Sequence, residues 1–184
     1  MKIRVGISNR HIHLTKKDYK TLFKKDKLEI KNELYQPGFF ASTDTVTIKT
    51  KKDKIENVRI LGPFRKYTQV EICKTDSYKL GINPPIRTSG DLNQAEEITI
   101  IGPSGEINLA CCIIPTRHIH ISKEDYNKHF YNRKNCLIKI KKEKITTLEN
   151  IEFKIDKNAK MELHLDTDDA NACLLNQGEE VEVI

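Results

Sequence analysis

At 184 residues, with 32 Lys and Arg against 26 Asp and Glu and a net charge of +6, the chain is sized for one compact unit or two small ones. It holds no run of about 18 apolar residues and no basic leader followed by an apolar stretch, so a membrane helix and a secretory signal are excluded and a cytoplasmic protein with no membrane partner is expected. Its lysines cluster at 49–54 and 139–144 without interleaved aromatics, a zinc-finger spacing or any Trp, which favours a solvated basic surface attractive to small anions over a nucleic-acid partner.

In chain order, KIRVGIS (2–8) alternates as a half-buried strand does. It leads into Arg10-His11-Ile12-His13 and then Thr15-Lys-Lys-Asp18, which resembles a capping box: a hydroxyl caps a helix and an acid returns three residues later, with Asp where Glu or Gln is usual. Period-two or β-branched strands follow at 45–50, 57–63, 69–73, 97–103 and 106–114, parted by the turn chemistry of GPFR, SGDL and GPSGE. Arg117-His118-Ile119-His120 then precedes a second cap, Ser122-Lys-Glu-Asp125. Further strands fall at 137–142, around His164 in MELHL, and at 180–184, with Thr167 or Asp168 as the cap of a third helix. Closely spaced strands with few, short helices predict a mainly β chain, a barrel or sandwich rather than a βαβ sheet. Cys73, Cys111, Cys112, Cys136 and Cys173 are odd in number and never fall in a Cys-x-x-Cys spacing; they read as buried small hydrophobes of a reducing compartment.

Residues 7–23 and 114–130 are identical at nine of 17 aligned positions, and ILGP (60–63) is echoed more weakly by IIGP (100–103). Two related halves follow, each with a His-x-His strand feeding a capped helix. On a strand, residues i and i+2 share a face with Cα atoms about 6.5–7 Å apart, so His11 and His13 converge while Ile12 packs behind, and His118 and His120 do the same around Ile119. Such a pair can grip one metal ion through nitrogens at about 2.0–2.1 Å, or can be two hydrogen-bonded or partly exposed rings; the duplication with its flanks favours the metal. His164 lies before an acidic cluster able to orient rings. His129, aligned with Leu22, reads as a surface or packing residue. Imidazole donors suit zinc, and the absence of cysteine ligands favours a catalytic over a structural ion. No Gly-x-Ser-x-Gly, His-Glu-x-x-His, Walker loop or dinucleotide fingerprint is present. From the residues alone, Arg65 is either a surface cation or a bidentate phosphate clamp. Glu71, inside the apolar strand QVEIC, either faces solvent by alternation or stands near metal-bound histidines.

The motifs SNRHIHLT, LGPFRKYTQVEICKTD, LGINPPIRTSGDL, IIPTRHIHIS and MELHLDTDDANAC, in this order, resemble the PduL-type phosphotransacylases, the phosphate propanoyltransferases, from about residue 3 to the C-terminus. That resemblance implies a reversible acyltransferase converting propanoyl-CoA or acetyl-CoA plus phosphate to acyl phosphate plus CoA; on chemical grounds phosphate is expected to attack the thioester directly, so that no covalent acyl-enzyme is required. It also implies two β-barrel domains with short capping helices, one from residues 1–10 and 118–184 and the other from 11–117, an active site between them, two zinc ions and a homodimer. Carried over, His11, His13 and Glu71 surround one zinc, His118, His120 and His164 bind the other, and Arg65 binds phosphate. Tyr78 is placed to stack on the adenine of coenzyme A, and Ser89 lies near coenzyme A. Members housed in microcompartments, such as those of propanediol degradation, carry an N-terminal encapsulation extension; here Met1 directly precedes the first strand, which favours a free cytoplasmic enzyme. Two rival readings use the same residues: a zinc-dependent thioester hydrolase, with water in place of phosphate, and a non-catalytic metal- or nucleic-acid-binding module.

Overall fold

The computed structural model describes all 184 residues, Met1–Ile184. Its elements in chain order are β1 (Lys2–Ser8), β2 (His11–His13), α1 (Lys16–Phe23), β3 (Ile30–Glu33), β4 (Phe40–Lys49), β5 (Lys54–Gly62), β6 (Gln69–Glu71), α2 (Lys74–Leu80) and β7 (Ile86–Arg87). The second half continues with β8 (Glu96–Gly102), β9 (Gly105–Pro115), β10 (His118–Ile121), α3 (Lys123–His129), β11 (Asn135–Ile140), β12 (Thr146–Ile155), β13 (Glu162–Asp166), α4 (Thr167–Ala172) and β14 (Glu180–Val183). No helix is long and apolar enough to cross a membrane.

The chain divides into two units, Met1–Asn9 with Thr116–Ile184, and Arg10–Pro115. In the first, the strands close a barrel in the order β1-β13-β10-β12-β11-β14. Its interior is filled by the inward residues of each strand, among them Val5, Ile119, Ile138, Ile151 and Leu163, all fully buried. In the second, β9-β6-β2-β5-β4-β8 closes a ring through the β8 pairings to β4 and β9, with β3 added to β4 and β7 to β9. Ile12, Val58, Ile60, Val70 and Ile100 fill it. The mainly β, two-barrel expectation therefore holds.

Read ring against ring, each pairing has the same sense: β9 runs parallel to β6 as β1 does to β13, and β2 runs parallel to β5 as β10 does to β12. The two rings are copies, but β1, which precedes β2 in the chain, completes the ring of β10, whereas β9, which precedes β10, completes the ring of β2. Each repeat lends its first strand to the other barrel.

Both N-caps form: Thr15 Oγ1 accepts from the Asp18 amide at 3.0 Å and Ser122 Oγ from the Asp125 amide at 3.0 Å. Aspartate, one methylene shorter than glutamate, does not return to the Thr15 amide. That amide donates to Thr68 Oγ1, whose hydroxyl donates to Asp18 Oδ2, so a threonine from another segment completes the box. The third cap differs from expectation. Asp166, not Thr167 or Asp168, precedes α4 and accepts from the Asp169 amide at 2.8 Å, because β13 runs directly into the helix.

Four elements, β3, α2, β7 and β12, carry no clear sequence signal. In α2, Cys73 stands at the N-cap without a side-chain bond, and the helix stops at Gly81 in the left-handed region (φ +67), a conformation that costs glycine least. Tyr78 lies on this helix. In β12 the alternation breaks at Asn150, which bends the strand at φ +56.

Candidate active site

In the Arg10–Pro115 unit, antiparallel pairing of β2 with β6 sets His11 opposite Glu71 and His13 opposite Gln69. His11 Nε2 stands 3.3 Å from Glu71 Oε2 and His13 Nε2 stands 4.0 Å from Oε1. All three side chains are buried, so the alternation that could have turned Glu71 toward solvent instead turns it inward. His13 Nδ1 lies 3.1 Å from the Leu61 carbonyl; as its donor, Nδ1 leaves Nε2 with a lone pair facing the cluster. Burial, with His11 and Arg65 nearby, holds His13 well below the usual histidine range, against the pull of Glu71. Burial also opposes ionisation of Glu71, yet His11, His13 and Arg65 together keep its carboxyl well below the ordinary value.

Arg65, three residues after β5, is tied to this cluster by a line of hydrogen bonds. Its Nη1 donates to Ser89 Oγ at 2.9 Å and to the Tyr67 hydroxyl at 3.3 Å. Gln69 Nε2 donates to the same Ser89 Oγ at 2.9 Å and to Glu71 Oε1 at 2.5 Å, while Gln69 Oε1 accepts from the Gly90 amide at 2.8 Å. Gln69 is completely buried. It was not singled out in the sequence, although its place two residues before Glu71 puts it on the same strand face. Tyr78 stands on the exposed side of α2, 65 % accessible, with Lys74 Nζ 5.1 Å from its ring centroid.

In the other unit, β10 and β13 pair His118 with His164 and His120 with Glu162. The rings of His118, His120 and His164 lie with centroids 4.4–5.3 Å apart. His118 Nδ1 is 2.9 Å from the Thr116 carbonyl, which leaves Nε2 toward His120 Nε2 at 3.2 Å. His164 Nε2 is 2.8 Å from Glu162 Oε2. His129 ends α3 on the surface, beside Phe130.

The two clusters are the same construction. His11 and His13 match His118 and His120, Glu71 matches His164, and Gln69 matches Glu162. Each also repeats an ion pair that explains the arginine of the Arg-His-Ile-His motif. Arg10 binds Asp76 through Nε and Nη2, both at 2.9 Å, and Arg117 binds Asp169 at 2.8 and 2.6 Å. Both aspartates lie in the first turn of the helix that follows the third cluster residue, α2 or α4, where a negative charge also suits the helix dipole.

In each cluster one potential ligand atom from each of the three residues lies within 4.8 Å of the others. A neutral His13 and an ionised Glu71 are the protonation states that a metal requires. Two imidazoles with a carboxylate, and three imidazoles, are donor sets that zinc accepts. The cysteines lie outside both clusters, free and buried, so sulfur plays no part in either. The residues present therefore fit the implied ions.

A sequence model of the phosphate propanoyltransferase family matches residues 4–176. The chain is 42 % identical to a phosphate propanoyltransferase of Thermotoga maritima over 99 % of this chain and 89 % of that protein. It is 43 % identical to one of Priestia megaterium, covering 96 % of this chain and 83 % of the relative, and 40 % identical to one of Shewanella putrefaciens, covering 97 % and 86 %.

Proposed function

The chain belongs to the phosphate propanoyltransferase family, and from that premise we propose that it is a zinc-dependent phosphate acyltransferase of propanoyl-CoA and acetyl-CoA, in which phosphate attacks the thioester directly. The observation that carries this reading is the hydrogen-bonded line from the cation Arg65 through Ser89 and Gln69 to Glu71, beside two buried histidines.

Phosphate and coenzyme A are both anionic, and bringing them together requires positive charge at a fixed position. Arg65 supplies it: with Ser89 and Tyr67 holding one guanidinium nitrogen, the remaining N–H groups can take two phosphate oxygens in a planar fork. A phosphate oxygen then forms the new bond to the acyl carbon as the carbon–sulfur bond breaks, and CoA leaves as thiolate to be protonated by solvent. His11, His13 and Glu71 would hold one zinc ion, and His118, His120 and His164 the other. Bound there, zinc supplies Lewis acidity for the carbonyl oxygen and a soft partner for the departing sulfur.

Direct attack is supported by the state of the possible nucleophiles. Ser89 Oγ receives its hydrogen bonds from Arg65 and Gln69, both donors, whereas an activated serine needs a base to take its proton. Burial pushes the Cys111 thiol up to about 12 and the Cys136 thiol to about 11, far from the thiolate that a cysteine nucleophile requires. For coenzyme A, the exposed Tyr78 with Lys74 beside it offers a stacking face and a cation for a nucleotide.

The test is CoA release from propanoyl-CoA and acetyl-CoA, with and without phosphate, before and after chelation. Release should require phosphate, yield acyl phosphate, fall on chelation and return with added zinc. Equal release without phosphate would assign a hydrolase. A stoichiometric burst of CoA with an acylated protein would overturn direct attack.

A further inference from the structure

Gln69, the first residue of β6, is a completely buried side chain whose every hydrogen bond is defined by its surroundings. The backbone amide of Gly90 lies 2.8 Å from its Oε1. A backbone N–H can only donate, so this contact fixes which end of the carboxamide is oxygen. The nitrogen end is then the one that reaches Ser89 Oγ at 2.9 Å and Glu71 Oε1 at 2.5 Å. One acceptor and two donors are all engaged, and an amide does not titrate, so the side chain is held in one orientation.

The turn that Gln69 grips is the one that holds Arg65. Ser89 Oγ also accepts from Arg65 Nη1 at 2.9 Å, so two donors meet on one oxygen. The Asp91 amide donates to the Thr88 carbonyl at 2.9 Å and closes the turn, with Gly90 in it at φ +103. A Cβ added at Gly90 would stand 3.1 Å from the Tyr67 hydroxyl, which itself accepts from Arg65 Nη1. The turn thus lies close against one partner of Arg65 and supplies the other, while Gln69 fixes it at two consecutive residues.

The other repeat shows what accompanies the amide. At one constant spacing along the chain Asn57 corresponds to Asn150, Glu71 to His164 and Asp76 to Asp169. The same spacing sets Arg65 against Asn158 and Gln69 against Glu162. It also places β14 where the first repeat forms the Ser89–Gly90 turn. Arginine, amide and turn therefore occur together in one repeat and are replaced together in the other.

We propose that Gln69 is a positioning residue for phosphate: it pins the Ser89–Gly90 turn, and the turn holds the Arg65 guanidinium at a set place beside His11, His13 and Glu71. This rests on the reading of Arg65 as the phosphate-binding cation. Without the amide, Ser89 keeps its bond to Arg65, but the two can drift together. The cost falls on a ligand that must meet the guanidinium and the cluster at once.

Inorganic phosphate is the probe, measured by calorimetric titration of the purified enzyme without acyl-CoA and as KM in CoA release from propanoyl-CoA. Gln69→Met, similar in size but without the amide, should weaken phosphate by both measures on the order of 10-fold, the worth of one or two hydrogen bonds. The KM for propanoyl-CoA should change less, and bound zinc, by elemental analysis, should match the wild type. Zinc lost together with phosphate affinity would place the action of Gln69 on Glu71 and overturn the proposal. In a Ser89→Ala background Gln69→Met should add little; an undiminished effect would show that it does not act through the turn. Gly90→Ala, which strains the turn at its positive φ and leaves Gln69 in place, should weaken phosphate in the same way. Unchanged phosphate affinity in Gln69→Met would overturn the role of Gln69 while leaving Arg65 standing; a wild-type enzyme that binds no phosphate would overturn both. Should the methionine variant not fold, Gln69→Asn, which keeps the amide but is too short to span all three contacts, takes its place.

Discussion

Arg65 gives one guanidinium nitrogen, Nη1, to Ser89 and Tyr67. Those bonds make it a fixed fork rather than a mobile surface charge, and under the proposed function it would act on phosphate rather than on acyl-CoA. Replacing Arg65 with Ala should raise the KM for phosphate on the order of 10- to 100-fold, the worth of a hydrogen bond to a charged group, with a smaller change for acyl-CoA. Steady-state kinetics with each substrate varied in turn would check this, and a larger effect on acyl-CoA would reassign the residue. Glu71 illustrates how one residue is decided. Within QVEIC it could face either way, and its burial against His11 and His13 follows only from the pairing of β6 with β2. Gln69 and Glu162 were passed over because an amide or a carboxylate on a strand has no chemical signature until its neighbour is known.

At the scale of elements, the repeat runs deeper than the stretch in which it can be read. Asn57 in β5 and Asn150 in β12 occupy matching positions and both take positive φ, at +58 and +56, a conformation that asparagine tolerates better than most residues. Arg10–Asp76 and Arg117–Asp169 are likewise one device used twice, tying the histidine strand to the helix after the third cluster residue. Asp76→Asn should lower stability by about 1–3 kcal/mol in denaturant unfolding, and most of that loss should vanish in an Arg10→Met background if the pair itself is responsible. A further tie lies in the turn before β14. There Glu179 accepts from Lys142 Nζ and from the side chain and amide of Asn176, and these bonds bring its carboxyl down to about 2. A carboxyl depressed in the folded state adds stability above its unfolded value of about 4.5, and that contribution is lost as pH falls from there through about 2. Acid unfolding of Glu179→Gln should accordingly show a flatter dependence over this window than the parent.

The molecule as a whole is two rings of equivalent strands in which each repeat contributes its first strand to the other ring. Severing the chain between β1 and β2 would therefore remove a barrel wall from the C-terminal unit, not from the unit that β2 begins. The sulfur chemistry is equally global. All five cysteines are free and buried, and the thiols of Cys111, Cys112, Cys136 and Cys173 are all raised, chiefly by burial. The native protein should react with none of its thiols during brief exposure to an aromatic disulfide reagent at neutral pH, and with all five after unfolding in guanidinium. Rapid native labelling of any one would contradict its enclosure.

The sequence by itself determined the β class, most strand positions, the helix caps at Thr15 and Ser122, the duplicated histidine pairs and the family. These are local or periodic properties: alternation marks a half-buried strand, a hydroxyl before a helix marks its start, and two histidines two residues apart share a face whatever surrounds them. The family resemblance named the third residue of each pair, but tertiary structure alone showed the register that brings it there, that Gln69 and Glu162 stand beside those residues, and that Arg10 and Arg117 hold aspartates more than 50 residues away. Register across a ladder brings together residues distant in the chain, and no periodicity within one strand records which partner lies opposite. The exchange of β1 and β9 between the rings is hidden from the strand patterns for the same reason, and only the family resemblance anticipated it. A strand's own pattern says which face it buries, not whose barrel it completes.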